Sequence, residues 1–210
     1  YLFDGKVYKY LESNYDKQKL LYEKSLNKVK TLEIGTYMGH SALIMLYANP
    51  KMNITTIDIN DKYSYPATEY LKKNFPESEI NFIKDDSLKA LRKLKNMNKK
   101  FDFFHIDGSH KNKIITKEFN YCLNLSSSNK LEIIFDDDVT CNDLISNIKS
   151  TFTILENKFK GFNFVTNQFL KIKIHDNKYL RIWFNSKFLF KNIISYIKVK
   201  FFKLISLKKI

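Results

Sequence analysis

With 210 residues, 44% of them hydrophobic and 15% aromatic, the chain is long enough to bury one substantial core and too apolar to stay disordered. Its two cysteines, Cys122 and Cys141, exclude a disulfide framework and match no metal-ligand spacing, so a reduced, cytoplasmic setting is expected. The formal net charge of +14 is unevenly placed: residues 187–210 hold seven lysines and no acid, half of the excess, which speaks against a central basic face.

In chain order, Tyr15 to Val29 reads as an amphipathic helix through Leu20, Leu21, Tyr22 and Leu26. Five short β-rich runs follow, at Thr31–Gly35, Asn53–Ile59, Ile80–Lys84, Phe101–Ile106 and Leu131–Phe135. Helical stretches alternate with them at Ser41–Tyr47, Pro66–Phe75, Ser87–Lys95, Lys113–Leu123 and Cys141–Ile154. Pro66 in a first turn and Ser87 as a cap fit helix starts. Strands this apolar, alternating with helices, form a parallel sheet covered on both faces. The ending differs. Phe169–Ile174 and Tyr179–Phe184 flank His175-Asp176-Asn177-Lys178 and read as an antiparallel hairpin. The expected class is therefore α/β, a doubly wound, mostly parallel, Rossmann-like sheet with an antiparallel C-terminal hairpin. Residues 1–186 should make one domain with an N-terminal helical segment, and 187–210 a basic, apolar tail.

Such sheets bind ligands beyond the carboxyl ends of their strands. The first run delivers Glu33-Ile34-Gly35-Thr36-Tyr37-Met38-Gly39 to that edge, where Gly35 allows a sharp turn and Gly39 lets the backbone approach a ligand as the next helix begins. The second ends at Asp58, whose carboxylate can accept both hydrogen bonds of a ribose diol. The third leads into Asp85-Asp86-Ser87, suited to an adenine amino group and ring edge. A dinucleotide is disfavoured, because Tyr37 stands where the second glycine of a G-x-G-x-x-G turn would admit a pyrophosphate.

These three motifs, at three successive strand ends, resemble those of the class I S-adenosylmethionine-dependent methyltransferases over roughly residues 30 to 185. The resemblance implies that Glu33, Gly35 and Gly39 line the methionine part of the cofactor, Asp58 the ribose, and Asp86 and Ser87 the adenine. It makes 1–186 a methyltransferase domain.

The fourth run ends in Asp107-Gly108-Ser109-His110 and the fifth in Asp136-Asp137-Asp138. Asp107, Asp136 and Asp137 on adjacent strand ends would repel one another unless a cation joined them, and hard oxygen donors favour Mg²⁺ or a similar ion. A bound ion could hold an acceptor hydroxyl and lower its pKa, with His110 placed to take the proton. Ile106-Asp107-Gly108-Ser109-His110 and the paired acids Asp136 and Asp137 resemble the metal-dependent small-molecule O-methyltransferases, both the catechol type and the sugar-modifying group related to macrocin O-methyltransferase. That resemblance implies Asp107, Asp136 and Asp137 as metal ligands, Asp107 and His110 as the catalytic pair, and a sugar or nucleotide-sugar hydroxyl as acceptor. Ser126-Ser127-Ser128-Asn129 departs from the Pro-Gly-Gly turn such enzymes carry before the fifth strand.

Other readings stand beside it. Asp138 suits a helix cap, as does Thr140 with Asp143 in a capping box. His105, inside an apolar strand, is expected in the core, and His175 in solvent. An RNA methyltransferase is the runner-up, since the chain is basic but lacks an Asn/Asp-Pro-Pro-aromatic run after the fourth strand; a non-catalytic cofactor-binding module is third. The tail, with Phe188, Phe190, Phe201 and Phe202 among its lysines, is expected to touch an anionic membrane surface or a second copy of the chain.

Overall fold

The computed structural model of the chain describes residues 2–3, 6–7, 12–109, 111–136, 142–162 and 165–174. Two short strands, β1 (Leu2–Phe3) and β2 (Lys6–Val7), pair with each other ahead of helix α1 (Glu12–Ser25). Then come β3 (Lys30–Ile34), α2 (His40–Ala48), β4 (Asn53–Asp58), α3 (Asp61–Asn74), β5 (Ile80–Lys84), α4 (Ser87–Asn96), β6 (Phe103–Ile106), α5 (Asn112–Leu125), β7 (Lys130–Asp136), α6 (Asn142–Thr151), β8 (Thr153–Phe162) and β9 (Val165–Lys173). Seven strands form one sheet in the order β5-β4-β3-β6-β7-β9-β8, parallel from β5 to β7 and antiparallel beyond. No helix among the described residues is long and apolar enough to cross a membrane.

The apolar runs explain the centre. All four residues of β6, Phe103 to Ile106, are buried, as are Thr31 to Ile34 of β3. Leu20 and Leu21 of α1 join Met45, Leu46, Met52, Phe103, Ile134 and Phe169 in one core cluster. Each such side chain contributes about 1.5–3 kcal/mol by leaving water. On α4, Ala90, Leu91 and Leu94 are buried at helical spacing while its lysines face outward.

The ladder carries the strand ends to a common edge. Ile34 lies opposite Ile57 on β4 and Ile106 on β6, and Ile106 opposite Phe135 on β7. Backbone bonds continue past the strands, from Gly35 N to Ile57 O at 2.9 Å, Asp85 N to Asp58 O at 3.1 Å and Asp107 N to Ile34 O at 2.7 Å.

Several local expectations change. The antiparallel hairpin is made by β8 and β9, so Val165–Lys173 pairs back onto Thr153–Phe162 rather than forward; Tyr179–Phe184 lies outside the described residues. The last helix correspondingly stops at Thr151, short of Ile154. Pro66 sits inside α3, because the helix starts earlier, on an Asn60 side chain that accepts from Lys62 N at 2.9 Å. Asp86, and not Ser87, caps α4, accepting from Lys89 N at 3.1 Å. Thr140, Asp138, His175 and the tail 187–210 also lie outside the described residues.

Candidate functional site

The turn after β3 is built on unusual backbone. Gly35 (φ 93°) and Gly39 (φ 73°) take left-handed conformations that favour glycine, and Tyr37 takes φ 44° despite its side chain. What holds Tyr37 there is Asp58. Asp58 Oδ2 accepts from Tyr37 N at 2.7 Å and from Ser64 Oγ at 2.9 Å, while Oδ1 accepts from Asn60 N at 2.9 Å. One carboxylate thus ties the glycine turn to the start of α3. The missing Cβ of Gly39 faces α3, where it would meet Ala67 Cβ at 3.2 Å, so this glycine serves helix packing as well as the turn. Helix α2 begins at Gly39 with no side-chain cap and no acid in its first turn, leaving a positive dipole end toward the turn.

At the next strand end, Lys93 Nζ meets Asp85 Oδ2 at 2.8 Å and holds its carboxyl below the usual range. Asp86 spends Oδ1 on the α4 cap, and Ser87 Oγ donates to Glu118 Oε1 on α5 at 2.6 Å. Ile59, immediately after Asp58, is 73% exposed, an apolar surface at the same edge that a flat ring could cover. The chain pattern carried a signal for it: an apolar residue directly following the strand-terminal acid.

Glu33, expected at the methionine part of the cofactor, has a partner within the protein. It is fully buried, with Oε1 at 3.3 Å from His105 Nδ1 on β6. Burial pushes its carboxyl up, against the opposing pull of His105 and Ser41. His105 Nε2 lies 4.0 Å from Asp136 Oδ2, and Asp136 Oδ1 is ion-paired with Lys17 from α1. His105 is in the core, as its strand implied, but between two carboxylates. Four polar side chains from β3, β6, β7 and α1 therefore line up beneath the edge. Lys17 lies 119 positions before Asp136, and no local pattern announces the pair.

Of the expected metal ligands, Asp107 follows β6 at the edge, and Asp136 ends β7 with a lysine ammonium already on its carboxylate. Asp137 and His110 lie outside the described residues. Among the described residues no three His, Cys, Asp or Glu side chains gather in a metal-holding group.

The arrangement can therefore cradle a ligand with a carboxylate or other anion near α2, a diol near Asp58 and a ring near Ile59, Asp86 and Ser87. Comparison with known proteins bears on the family and the fold. A family model described as O-methyltransferase matches residues 14–146. A protein of Arabidopsis thaliana named as a caffeoyl-CoA O-methyltransferase is 40% identical over 85 residues, 40% of this chain and 37% of the relative. Tapetum-specific methyltransferase 1, also of Arabidopsis thaliana, is 34% identical over 91 residues, 42% of this chain and 39% of the relative. The matched stretch thus spans well under half the length of these curated relatives. Among solved structures, the O-methyltransferase TomG from Streptomyces achromogenes, in complex with S-adenosylmethionine, superposes with a TM-score of 0.60 at 18% identity, over 75% of this chain and 79% of that one. Magnesium protoporphyrin IX methyltransferase from Synechocystis, also with S-adenosylmethionine bound, gives 0.56 at 11% identity over 81% and 87%. At these identities the structures speak for the fold.

Proposed function

The chain belongs to the O-methyltransferase family, and from that premise we propose that it moves the methyl group of S-adenosylmethionine to a hydroxyl of a small molecule, with a sugar or nucleotide sugar as the acceptor class. The observation that carries this reading is the Asp58 carboxylate, which fixes the strained Tyr37 turn from the neighbouring strand and keeps that turn and the ribose position in one rigid unit. The residues fit the cofactor. Backbone N–H groups at the uncapped start of α2 suit its carboxylate, Asp58 the ribose hydroxyls, and Ile59 with Asp86 and Ser87 the adenine. Glu33 acts from beneath the turn, its buried side chain set between His105 of β6 and Ser41 in the first turn of α2.

At the acceptor end, Asp107 and Asp137 are the hard oxygen donors proposed for a divalent ion, while Asp136 pairs with Lys17. When bound, such an ion would hold the acceptor oxygen and lower its pKa. His110, three residues after Asp107 in the sequence, is the side chain assigned to take the proton leaving that hydroxyl. The likeness to a protein named for caffeoyl-CoA makes a phenol the second acceptor class to try.

Methyl-labelled S-adenosylmethionine offered with sugar, nucleotide-sugar and phenolic acceptors tests the reading. A labelled methyl ether from one of them is the expected result. Transfer to none, or to an amine or RNA base instead, overturns it.

A further inference from the structure

Glu118 is a fully buried acid on α5, outside every motif that marks the edge. Among the described residues its side-chain partner is Ser87, which donates Oγ–H to Oε1 at 2.6 Å; Oε2 is buried and takes no hydrogen bond there. Placing an acid there is costly. Burial pushes its carboxyl up to about 7, the Ser87 bond opposing and the neighbouring Asp86 charge adding to the rise. A leucine in that seat would pack against α4 without the penalty. The groups that face it are Ser87 and Asp86 at the start of α4 and, one turn along α5, Cys122, whose thiol burial and Glu118 together push up.

The chemistry of the hydroxyl suggests what the acid is for. A serine has one proton to give and two lone pairs to accept with. Because that proton is spent inward on Glu118, Ser87 can only accept from whatever lies outside it. Ionised Glu118 has no proton to give, so Oε1 takes the bond and the affinity ratio is read above about pH 7, where that form prevails. A hydroxyl so fixed suits a donor such as the 6-amino group of adenine and opposes the 6-oxo group of hypoxanthine, where two acceptors would face each other.

We propose that Glu118 is a positioning residue that fixes Ser87 as a hydrogen-bond acceptor, and so makes the base site selective for a 6-amino purine over a 6-oxo purine. The proposal rests on the reading that Ser87 meets the base of the cofactor.

Calorimetric titration of the whole chain with S-adenosylhomocysteine and with S-inosylhomocysteine tests it, the readout being the ratio of the two affinities. The wild type should prefer the adenosyl ligand by roughly tenfold to a hundredfold, the size of a mispaired polar contact. Glu118→Gln keeps an acceptor oxygen and should retain that ratio. Glu118→Leu frees the Ser87 proton to turn outward, and Ser87→Ala removes the acceptor altogether. Both should bring the ratio to within about threefold. Ser87→Ala leaves the Asp86 cap in place, so it answers even if the leucine variant does not fold. A general loss of order would weaken both ligands alike and leave the ratio standing. An unchanged ratio in Glu118→Leu and Ser87→Ala, with S-adenosylhomocysteine still bound, overturns this proposal while sparing the function. Failure of the wild type to bind either ligand overturns both.

Discussion

Gly35 sits against the backbone of Asp107: a Cβ built on it would lie 1.9 Å from the Asp107 carbonyl oxygen and 2.9 Å from Gly108 N. The turns after β3 and β6 thus pass each other as bare backbone, with no flexible side chain to yield. Gly35→Ala should lose about 2–4 kcal/mol, from the clash and the positive φ together. Gly39→Ala, whose new methyl would meet Ala67 Cβ at 3.2 Å and Leu71 Cδ1 at 3.4 Å, should lose less. Urea unfolding of both variants measures the order; equal losses would mean that the Asp107 turn moves aside.

Asp58 holds three groups, so its removal should be felt in the turn as well as at the ligand. Asp58→Ala releases Tyr37 N and Ser64 Oγ together, and S-adenosylhomocysteine affinity should fall roughly tenfold to a hundredfold, as for a lost charge-assisted hydrogen bond or two. Ser64→Ala, which removes one partner and leaves the carboxylate bound to Tyr37, should fall by less than about fivefold. Titration calorimetry on the pair separates the ligand contact from the support. Equal affinity in wild type and Asp58→Ala would remove Asp58 from the cofactor site.

Glu118 makes a pH prediction whose sign is fixed. Its ordinary value is 4.5 and its folded value about 7, so the folded state holds the proton more tightly than the unfolded one. The stability this gives is fully present below about pH 4.5 and is lost as pH rises through about 7. The change is on the order of 3 kcal/mol at most. Glu118→Gln cannot ionise, so the stability difference between variant and wild type should grow in the variant's favour from pH 5 to pH 8. Denaturant midpoints at the two pH values check it, and parallel curves would contradict the burial.

The strand ends were legible because they combine two strong local signals, an apolar β run and an acid or glycine directly after it. That placed β3 to β7 within a residue or two at most ends, and set Gly35, Asp58, Asp86 and Asp107 on one edge. The hairpin was misplaced for a physical reason. β8 is an antiparallel edge strand, and Glu156, Lys158 and Lys160 can face solvent there, so it lacks the apolar run that marked the others. Contacts between distant positions left no pattern at all. Ser87 and Glu118 are 31 apart, and Glu33 and His105 are 72 apart.

Lys17 and Asp136 allow a double-mutant cycle. The Asp136 side chain is 5% exposed and that of Lys17 21%, so Lys17→Met leaves a buried carboxylate facing His105 without its cation. That variant should lose about 3–5 kcal/mol, and Asp136→Asn placed on top of it should recover a good part. Single losses that simply add would show the pair to be uncoupled.

Metal assistance has a consequence that separates it from cofactor binding. If Asp107 and Asp137 hold a divalent ion at the acceptor end, EDTA should abolish methyl transfer while leaving S-adenosylhomocysteine affinity within about twofold, because the cofactor contacts proposed at Asp58, Asp86 and Ser87 use no metal. Mg²⁺ should restore turnover, and Asp107→Asn should raise the concentration needed or prevent the rescue. Asp136→Asn should behave differently. Its carboxylate answers to Lys17, so the variant should lose stability yet keep an unchanged Mg²⁺ requirement at temperatures where it stays folded. Turnover that persists undiminished in chelator would exclude the ion and leave proton removal to a side chain alone, with His110 the first to substitute. A Mg²⁺ requirement raised in Asp136→Asn as strongly as in Asp107→Asn would instead return Asp136 to the metal and mean that the Lys17 pair opens when the ion binds.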